Sequence, residues 1–263
     1  MIDQLKLALV QTELYWENPI ANRAMLEEKI WQIERDIDLI ILPEMFTTGF
    51  SMNPEKYAEV AGTDTFKWMR QLASQRKATL MGSVMVKDKG TFVNRLYVVN
   101  ADGTASFYDK RHLFSLAGED KDYTPGASKI IVEVKGWKIM PLICYDLRFP
   151  VWSRSQSTAN SLYEYDAVVY VANWPSPRIN AWDTLLQARA IENIAYSVGV
   201  NRVGLDESGH SYPGHSAVYD YAGQKRAYSE LSEIILAELS KEDLLQFRER
   251  FPFQIDADRF SIE

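Results

Sequence analysis

The 263-residue chain has a single cysteine, Cys144, which excludes an intrachain disulfide framework and points to a reducing, cytoplasmic setting. Histidine is scarce too: His112, His210 and His215 are the only three, and no Cys/His grouping has zinc-ligand spacing. There is no Gly-rich phosphate loop, so neither a metal nor an organic cofactor is expected. No apolar run approaches the ~20 residues that span a bilayer. The segment Met1–Val10 lacks the basic flank and small-residue cleavage site of a secretory signal, and a soluble protein is expected. Basic charge is in deficit: 29 Lys and Arg against 36 Asp and Glu leave a net charge of -7, which argues against a nucleic-acid partner. Pro/Gly/Ser-rich linkers and fixed-period repeats are also missing, so residues 1–263 are expected to form one domain.

What is present alternates between strand and helix patterns. Leu5–Thr12 reads as a first strand, and Asn18-Pro19 as a helix start with Asn as cap and Pro at the first helical position. Leu26, Ile30, Ile33 and Ile37 then recur at helical spacing. Asp38–Leu42 is a short apolar run stopped by Pro43, which suits a strand covered on both sides. Thr63 or Asp64 caps a second helix. Three strands follow, at Thr79–Val86, Thr91–Val99 and Thr104–Tyr108, joined by turns at Asp88-Lys-Gly90 and Asn100–Gly103. Ile130–Val134 and Trp137–Ile143 read as a hairpin, and a helix is expected from about Pro150 to the strand Asp166–Val171. Ile179–Tyr196 has helical periodicity, and Ser197–Val203 reads as a strand. Two late strands, Ala217–Tyr221 and Ile234–Leu239, are expected to join through a turn near Ala222-Gly223, with a charged helix at Lys241–Arg250. Hairpins and helix-separated strands together predict α/β architecture with mixed sheets.

Cys144 ends the apolar run Ile139–Ile143 and is followed at once by Tyr145, Asp146 and Arg148. A lone cysteine there admits two readings. One is a small buried hydrophobe. The other is a nucleophile whose pKa is lowered by helix-terminal N–H groups and nearby cations. Glu44 and Lys110 also follow apolar strands, and if the three strands share a sheet and a direction, their ends converge on one rim. Taken singly, Glu44 reads as a solvated loop residue and Lys110 as part of a charge run. Together they describe a thiol with its own base and its own cation.

Three motifs carry a family resemblance. Leu42-Pro-Glu44-Met-Phe46, Tyr108-Asp-Lys110-Arg-His112-Leu-Phe114 and Ile143-Cys144-Tyr-Asp-Leu-Arg148-Phe-Pro150 together resemble the nitrilase superfamily of carbon–nitrogen hydrolases. Ala172-Asn-Trp-Pro-Ser-Pro-Arg178 and Gln187–Asn193 are similar to its omega-amidases, including the 2-oxoglutaramate amidase type. The likeness implies a four-layer α-β-β-α sandwich and a thioester mechanism. In it Glu44 is general base, Cys144 nucleophile, and Lys110 with the backbone N–H of Tyr145 the oxyanion holder. It further implies that Glu119 orients Lys110. The superfamily uses Glu rather than His as base, so His112 is assigned a structural role.

An omega-amidase opens the terminal amide of a 2-oxo dicarboxylic acid monoamide, such as 2-oxoglutaramate or 2-oxosuccinamate, releasing the 2-oxo acid and ammonia. Its pocket must hold a carboxylate, a task for arginine. Arg148 and Arg178 are the candidates, each with a structural ion pair as the alternative. Phe46, Tyr145 and Trp174 are candidate apolar walls or else core, and Asn173 a positioning residue. Another small amide, an N-carbamoyl compound or a nitrile fits the same motifs, and a non-catalytic binding module is the alternative from another class. The resemblance also implies a homodimer or higher homo-oligomer, with Trp152–Tyr163 and Ile179–Tyr196 at the interface. The apolar tail, about residues 251–263, then packs either across to the partner or on its own subunit.

Overall fold

Alternation along the first strand decides the layering. In β1 (Gln4–Gln11) Leu5, Leu7 and Leu9 point to one face and Ala8 and Val10 to the other, and all five are buried. A strand buried on both faces must be covered on both. The outer cover is the helix Pro19–Trp31, whose Leu26 and Ile30 pack with the Met69 and Leu72 of the helix Asp64–Arg76 onto Ala8, Val10, Ile40 and Leu80. The inner cover is a second sheet.

The structure is a computed structural model and describes residues 3–158 and 161–262. The first sheet runs β15 (Glu233–Ser240), β1, β2 (Leu39–Ile41), β4 (Thr79–Asp88), β5 (Thr91–Val99), β6 (Ala105–Asp109), with the short β3 (Glu59–Val60) beside β4. The second runs β14 (Lys225–Ser229), β13 (Ser216–Tyr219), β10 (Tyr196–Asn201), β9 (Ala167–Ala172), β8 (Trp137–Ile143), β7 (Val132–Val134). A separate hairpin pairs β11 (Val203–Leu205) with β12 (Ser211–Pro213). Leu7, Leu9, Leu96 and Val98 of the first sheet share one core with Ile139, Leu142, Val169 and Val198 of the second. Beyond the second sheet the helix Ile179–Asn193 supplies Trp182 and Leu186. That helix lies close to β10 because Gly199 leaves room: a Cβ there would sit 2.4 Å from Leu186 and 2.6 Å from Trp182. The order is helix, sheet, sheet, helix, the four-layer sandwich that the resemblance implies.

Several expectations hold closely. Asn18 caps its helix, its Oδ1 accepting from Ala21 N at 3.1 Å, and Lys241–Arg250 is a helix as read. Others are corrected. The segment after Pro150 is helical only over Pro150–Ser153: the backbone turns extended at Arg154, and the Ser155 N–H donates to Asn193 Oδ1 at 2.8 Å instead of continuing the helix. The late strands do not form one hairpin. β13 turns at Gly223 into β14, and β15 crosses to the first sheet, where it pairs antiparallel with β1 over all eight residues. The expected strand Ser197–Val203 divides at Arg202 into β10 and β11.

Candidate active site

Glu44, Lys110 and Cys144 converge, but not by sharing one sheet. β2 and β6 run in the same direction in the first sheet, since β2 is parallel to β4 and two antiparallel steps lead from β4 to β6. Cys144 follows β8 in the second sheet. The rim is therefore the shared edge of two stacked sheets, and the meeting point lies between them.

Glu44 stands on a turn tied back to β4. Leu42 N donates to Met81 O at 2.7 Å, Met45 N to Ser83 Oγ at 2.9 Å and Phe46 N to Ser83 O at 3.1 Å. The carboxylate, fully buried, accepts three bonds. Oε1 takes Lys110 Nζ and Asn94 Nδ2, both at 2.9 Å, and Oε2 takes the backbone N–H of Asn173 at 2.9 Å.

Lys110 leaves β6 with its N–H on Asn94 O at 2.9 Å. Its ammonium touches Glu44 at 2.9 Å and both oxygens of Glu119 at 3.0 and 2.8 Å, with the Phe50 ring 5.0 Å away. Burial works to lower its pKa, but Glu119 and Glu44 outweigh it and hold the lysine charged, above its ordinary range. Glu119, which opens the short helix Glu119–Asp122, also accepts from Phe114 N at 2.6 Å. Burial pushes its carboxyl up against the pull of Lys110, and Glu44 adds to the rise.

Cys144 has φ +43°, a left-handed conformation that costs a non-glycine residue free energy and turns the chain sharply at the strand end. Its pKa departs from the expectation. Burial and the charge of Glu44 push the thiol well above its ordinary value, and Lys110 only partly offsets them. The resting group is a thiol, kept protonated by its burial and by the charge of Glu44. Behind it, buried Asp146 clamps the turn. Its Oδ2 accepts from Ile143 N at 3.0 Å and Tyr108 OH at 2.8 Å, and its Oδ1 accepts from His112 N at 3.0 Å and lies 2.8 Å from His112 Nδ1. The His112 ring stacks on Phe149 at 3.8 Å, so this histidine braces the turn.

Lys110 and Cys144 line a cavity of about 470 Å³. Phe50, Met52 and Phe114 give it apolar surface, with Tyr145 and Trp174. Arg148 and Arg178 line it as well, the first 5.0 Å from the Trp174 ring and the second 4.9 Å from the Phe114 ring. Among the described residues neither arginine has an ion-pair partner, so the alternative of a structural salt bridge falls away. Phe46 does not line the cavity. Its ring is in the outer core, 5.9 Å from Trp68, where a Cβ on Gly82 would press on it at 2.9 Å. Trp174 is pinned by Asn201, which accepts from its N at 2.7 Å and donates to its O at 2.9 Å.

Sequence reading does not single out Asn94, Asn201 or the β11–β12 hairpin. That hairpin brings Asp206, His210 and Tyr212 to the cavity, with Asp206 accepting from His210 N at 2.9 Å and Tyr212 OH at 2.9 Å. Asn201, a polar residue at the end of the apolar strand Tyr196–Asn201, carried a signal of this kind, whereas Asn94 lies inside its strand. Among the described residues no three His, Cys, Asp or Glu side chains are grouped to hold a metal ion, and no helix is long and apolar enough to cross a membrane.

Residues 6–249 match the Carbon-nitrogen hydrolase family. Over 258 residues the chain is 46% identical to an omega-amidase YafV of Yersinia enterocolitica, covering 97% of this chain and 98% of that protein. It is 30% identical to a 2-oxoglutaramate amidase of Bacillus subtilis, covering 94% and 95%. The crystal structure of XC1258 from Xanthomonas campestris, described as a CN-hydrolase superfamily protein with an arsenic adduct in its active site, superposes with a TM-score of 0.97 at 39% identity, covering all of both chains.

Proposed function

The chain belongs to the carbon–nitrogen hydrolase family, and from that premise we propose that it is an omega-amidase, hydrolysing the terminal amide of a 2-oxo dicarboxylic acid monoamide through a thioester on Cys144. One observation carries the reading: a buried Glu44–Lys110–Glu119 cluster lies against a thiol that opens into a cavity holding two arginines without carboxylate partners.

The resting thiol needs a base, and Glu44, whose charge acts on it, is the carboxylate that serves. Cys144 Sγ attacks the amide carbon as Glu44 takes the thiol proton, and the carbonyl oxygen becomes an oxyanion. Lys110 Nζ has three protons; one serves Glu44 and one is shared by the two oxygens of Glu119, which leaves the third for that oxygen. The Tyr145 N–H, in the first turn after the strand, is the second donor. When the tetrahedral species collapses, the C–N bond breaks and Glu44 returns its proton to the departing nitrogen as ammonia. Glu44 then takes a proton from water, whose oxygen attacks the thioester. The acid leaves and the proton goes back to sulfur.

Arg148 and Arg178 take the carboxylate of the substrate, and Trp174 and Phe114 hold them flat. The test is ammonia release from 2-oxoglutaramate, with L-glutamine, succinamate, an N-carbamoyl amino acid and a nitrile beside it and Cys144→Ala as blank. Release from the oxo-amide alone supports the reading. Release only from one of the others keeps the hydrolase and rejects this substrate.

A homodimer acting in the cytoplasm completes the proposal. The tail docks on its own subunit through Gln254, which donates to Ser155 O at 2.8 Å and accepts from Arg154 at 3.1 Å. Around this contact Val151, Leu162, Phe253 and Ile255 are exposed apolar side chains that a second copy would cover. Ala159 and Asn160 of the expected interface segment, and Glu263 of the tail, lie outside the described residues. Elution as a monomer on gel filtration would refute the dimer.

A further inference from the structure

Asn94 is the least expected member of the buried cluster. It is fully buried on β5, two and four residues before Leu96 and Val98, which face the second sheet, so period-two alternation puts its side chain between the sheets. The β5–β6 register pairs Arg95 with Asp109, which sets Asn94 across from Lys110, and its carbonyl accepts the Lys110 N–H at 2.9 Å. The side-chain Nδ2 donates to Glu44 Oε1 at 2.9 Å and reaches Glu119 Oε1 at 3.4 Å. Its Oδ1 is buried without a partner. The reverse amide orientation would aim a carbonyl oxygen at two carboxylates, so repulsion fixes the donor inward. A buried acceptor left unpaired is a penalty, and here it accompanies a neutral donor placed between two carboxylates that share one lysine.

We infer that Asn94 is a positioning residue that keeps Glu44 ionised and aimed at the Cys144 thiol while holding Glu119 apart from it. A donor without charge stabilises the carboxylate forms and leaves the Lys110 proton free for the oxyanion. Removing it favours protonation of Glu44 and so removes the thiol's proton acceptor. The other titratable groups acting on Glu44 are Lys110, Glu119, Cys144, Tyr123 and Tyr212. Burial pushes both tyrosines up, and the two carboxylates hold the lysine high.

The inference rests on Cys144 being an activated nucleophile, and the experiment reads that without an amide. The alkylation rate of Cys144 by iodoacetamide is followed from about pH 5.5 to about pH 9 in the full chain, in Asn94→Leu and in Asn94→Ser, with folding checked by circular dichroism. The expected result is alkylation about tenfold slower than wild type near pH 6, recovering to within about threefold near pH 9, since the acid limb moves to higher pH when a donor to the base is lost. With 2-oxoglutaramate, kcat falls by about tenfold while KM stays within about twofold. Profiles superimposable on wild type, or a loss uniform across pH, overturn the inference. So does failure of both variants to fold, which makes Asn94 a structural residue. Wild-type Cys144 inert at every pH sinks the hydrolase reading itself, whereas a shifted profile with no turnover of oxo-amides rejects only the substrate.

Discussion

Asn173 holds Glu44 at two points: its backbone N–H donates to Oε2 at 2.9 Å, and its side-chain Nδ2 donates to the Glu44 main-chain carbonyl at 2.6 Å. The two residues follow strands of different sheets, β2 and β9, so this pair of bonds joins the sheet edges where the thiol sits. Asn173→Ala removes one bond and spares the other. A buried carbonyl then loses its donor, which costs about 1–3 kcal/mol of stability. The carboxylate keeps its N–H but on a looser turn, and kcat/KM is expected to fall about tenfold or more, as misplacement of reacting groups does. Denaturant melts and steady-state rates on one preparation check both parts. Unchanged stability with unchanged turnover would contradict the bracing role.

Lys110 is the cation that makes two buried carboxylates tolerable. Lys110→Met leaves Glu44 and Glu119 facing each other without a counter-charge, and breaking a buried pair in this way costs about 3–5 kcal/mol. Cys144→Ala, by contrast, removes only a half-buried thiol. Both variants are expected to be inactive, yet thermal melts should separate them clearly, with Lys110→Met far below Cys144→Ala. Equal melting temperatures would mean that the carboxylates reach water or share a proton without the lysine.

The raised thiol pKa has a consequence for stability. Burial, with Glu44 beside it, lifts the folded-state value well above that of an ordinary thiol. The folded protein therefore keeps a proton that the unfolded chain gives up, and the stability from this group is intact below about pH 9 and lost as pH rises beyond it. The loss is at most about 1.4 kcal/mol per pH unit. Cys144→Ala lacks the group and escapes the loss. Urea melts at about pH 8 and about pH 10 should show wild type losing more stability between them than Cys144→Ala, with the lysine and tyrosine contributions common to both. A larger loss in the variant would place the thiol pKa below its ordinary value.

Much of this architecture was legible because it is written in apolar runs and in what ends them. Leu39–Ile41, Ile139–Ile143 and Ala167–Ala172 are continuous buried runs, and Glu44, Cys144 and Asn173 stand just past them. The stacking of two sheets came from the family resemblance and not from the strands themselves, since a strand covered on both faces reads alike whether helices or another sheet provide the cover. Phe46 illustrates the limit: next to Glu44 in sequence, it points to the outer core because the left-handed turn at Met45 reverses the chain. The thiol pKa stayed open in the sequence for a related reason. Local sequence shows the helix start and the cation, but burial and the Glu44 charge that outweigh them are tertiary. Asn94 looks like any polar residue in a strand until Lys110 is placed across from it.

Specificity should separate the two arginines of the cavity from the chemistry. Neither Arg148 nor Arg178 touches the Glu44–Lys110–Glu119 cluster or has a carboxylate partner among the described residues, and both lie over aromatic rings. Arg178→Met and Arg148→Met keep the stem that covers Phe114 or Trp174 and delete the charge. A charge-assisted bond to a substrate carboxylate is worth about 1.5–3 kcal/mol, or roughly 10- to 150-fold in kcat/KM. That loss is expected for 2-oxoglutaramate and should be nearly absent for a neutral amide of the same length. The arginine that shows the larger difference holds the carboxylate, and the other sets the local field. An equal loss on charged and neutral amides would mean that the arginines shape the cavity rather than read its ligand.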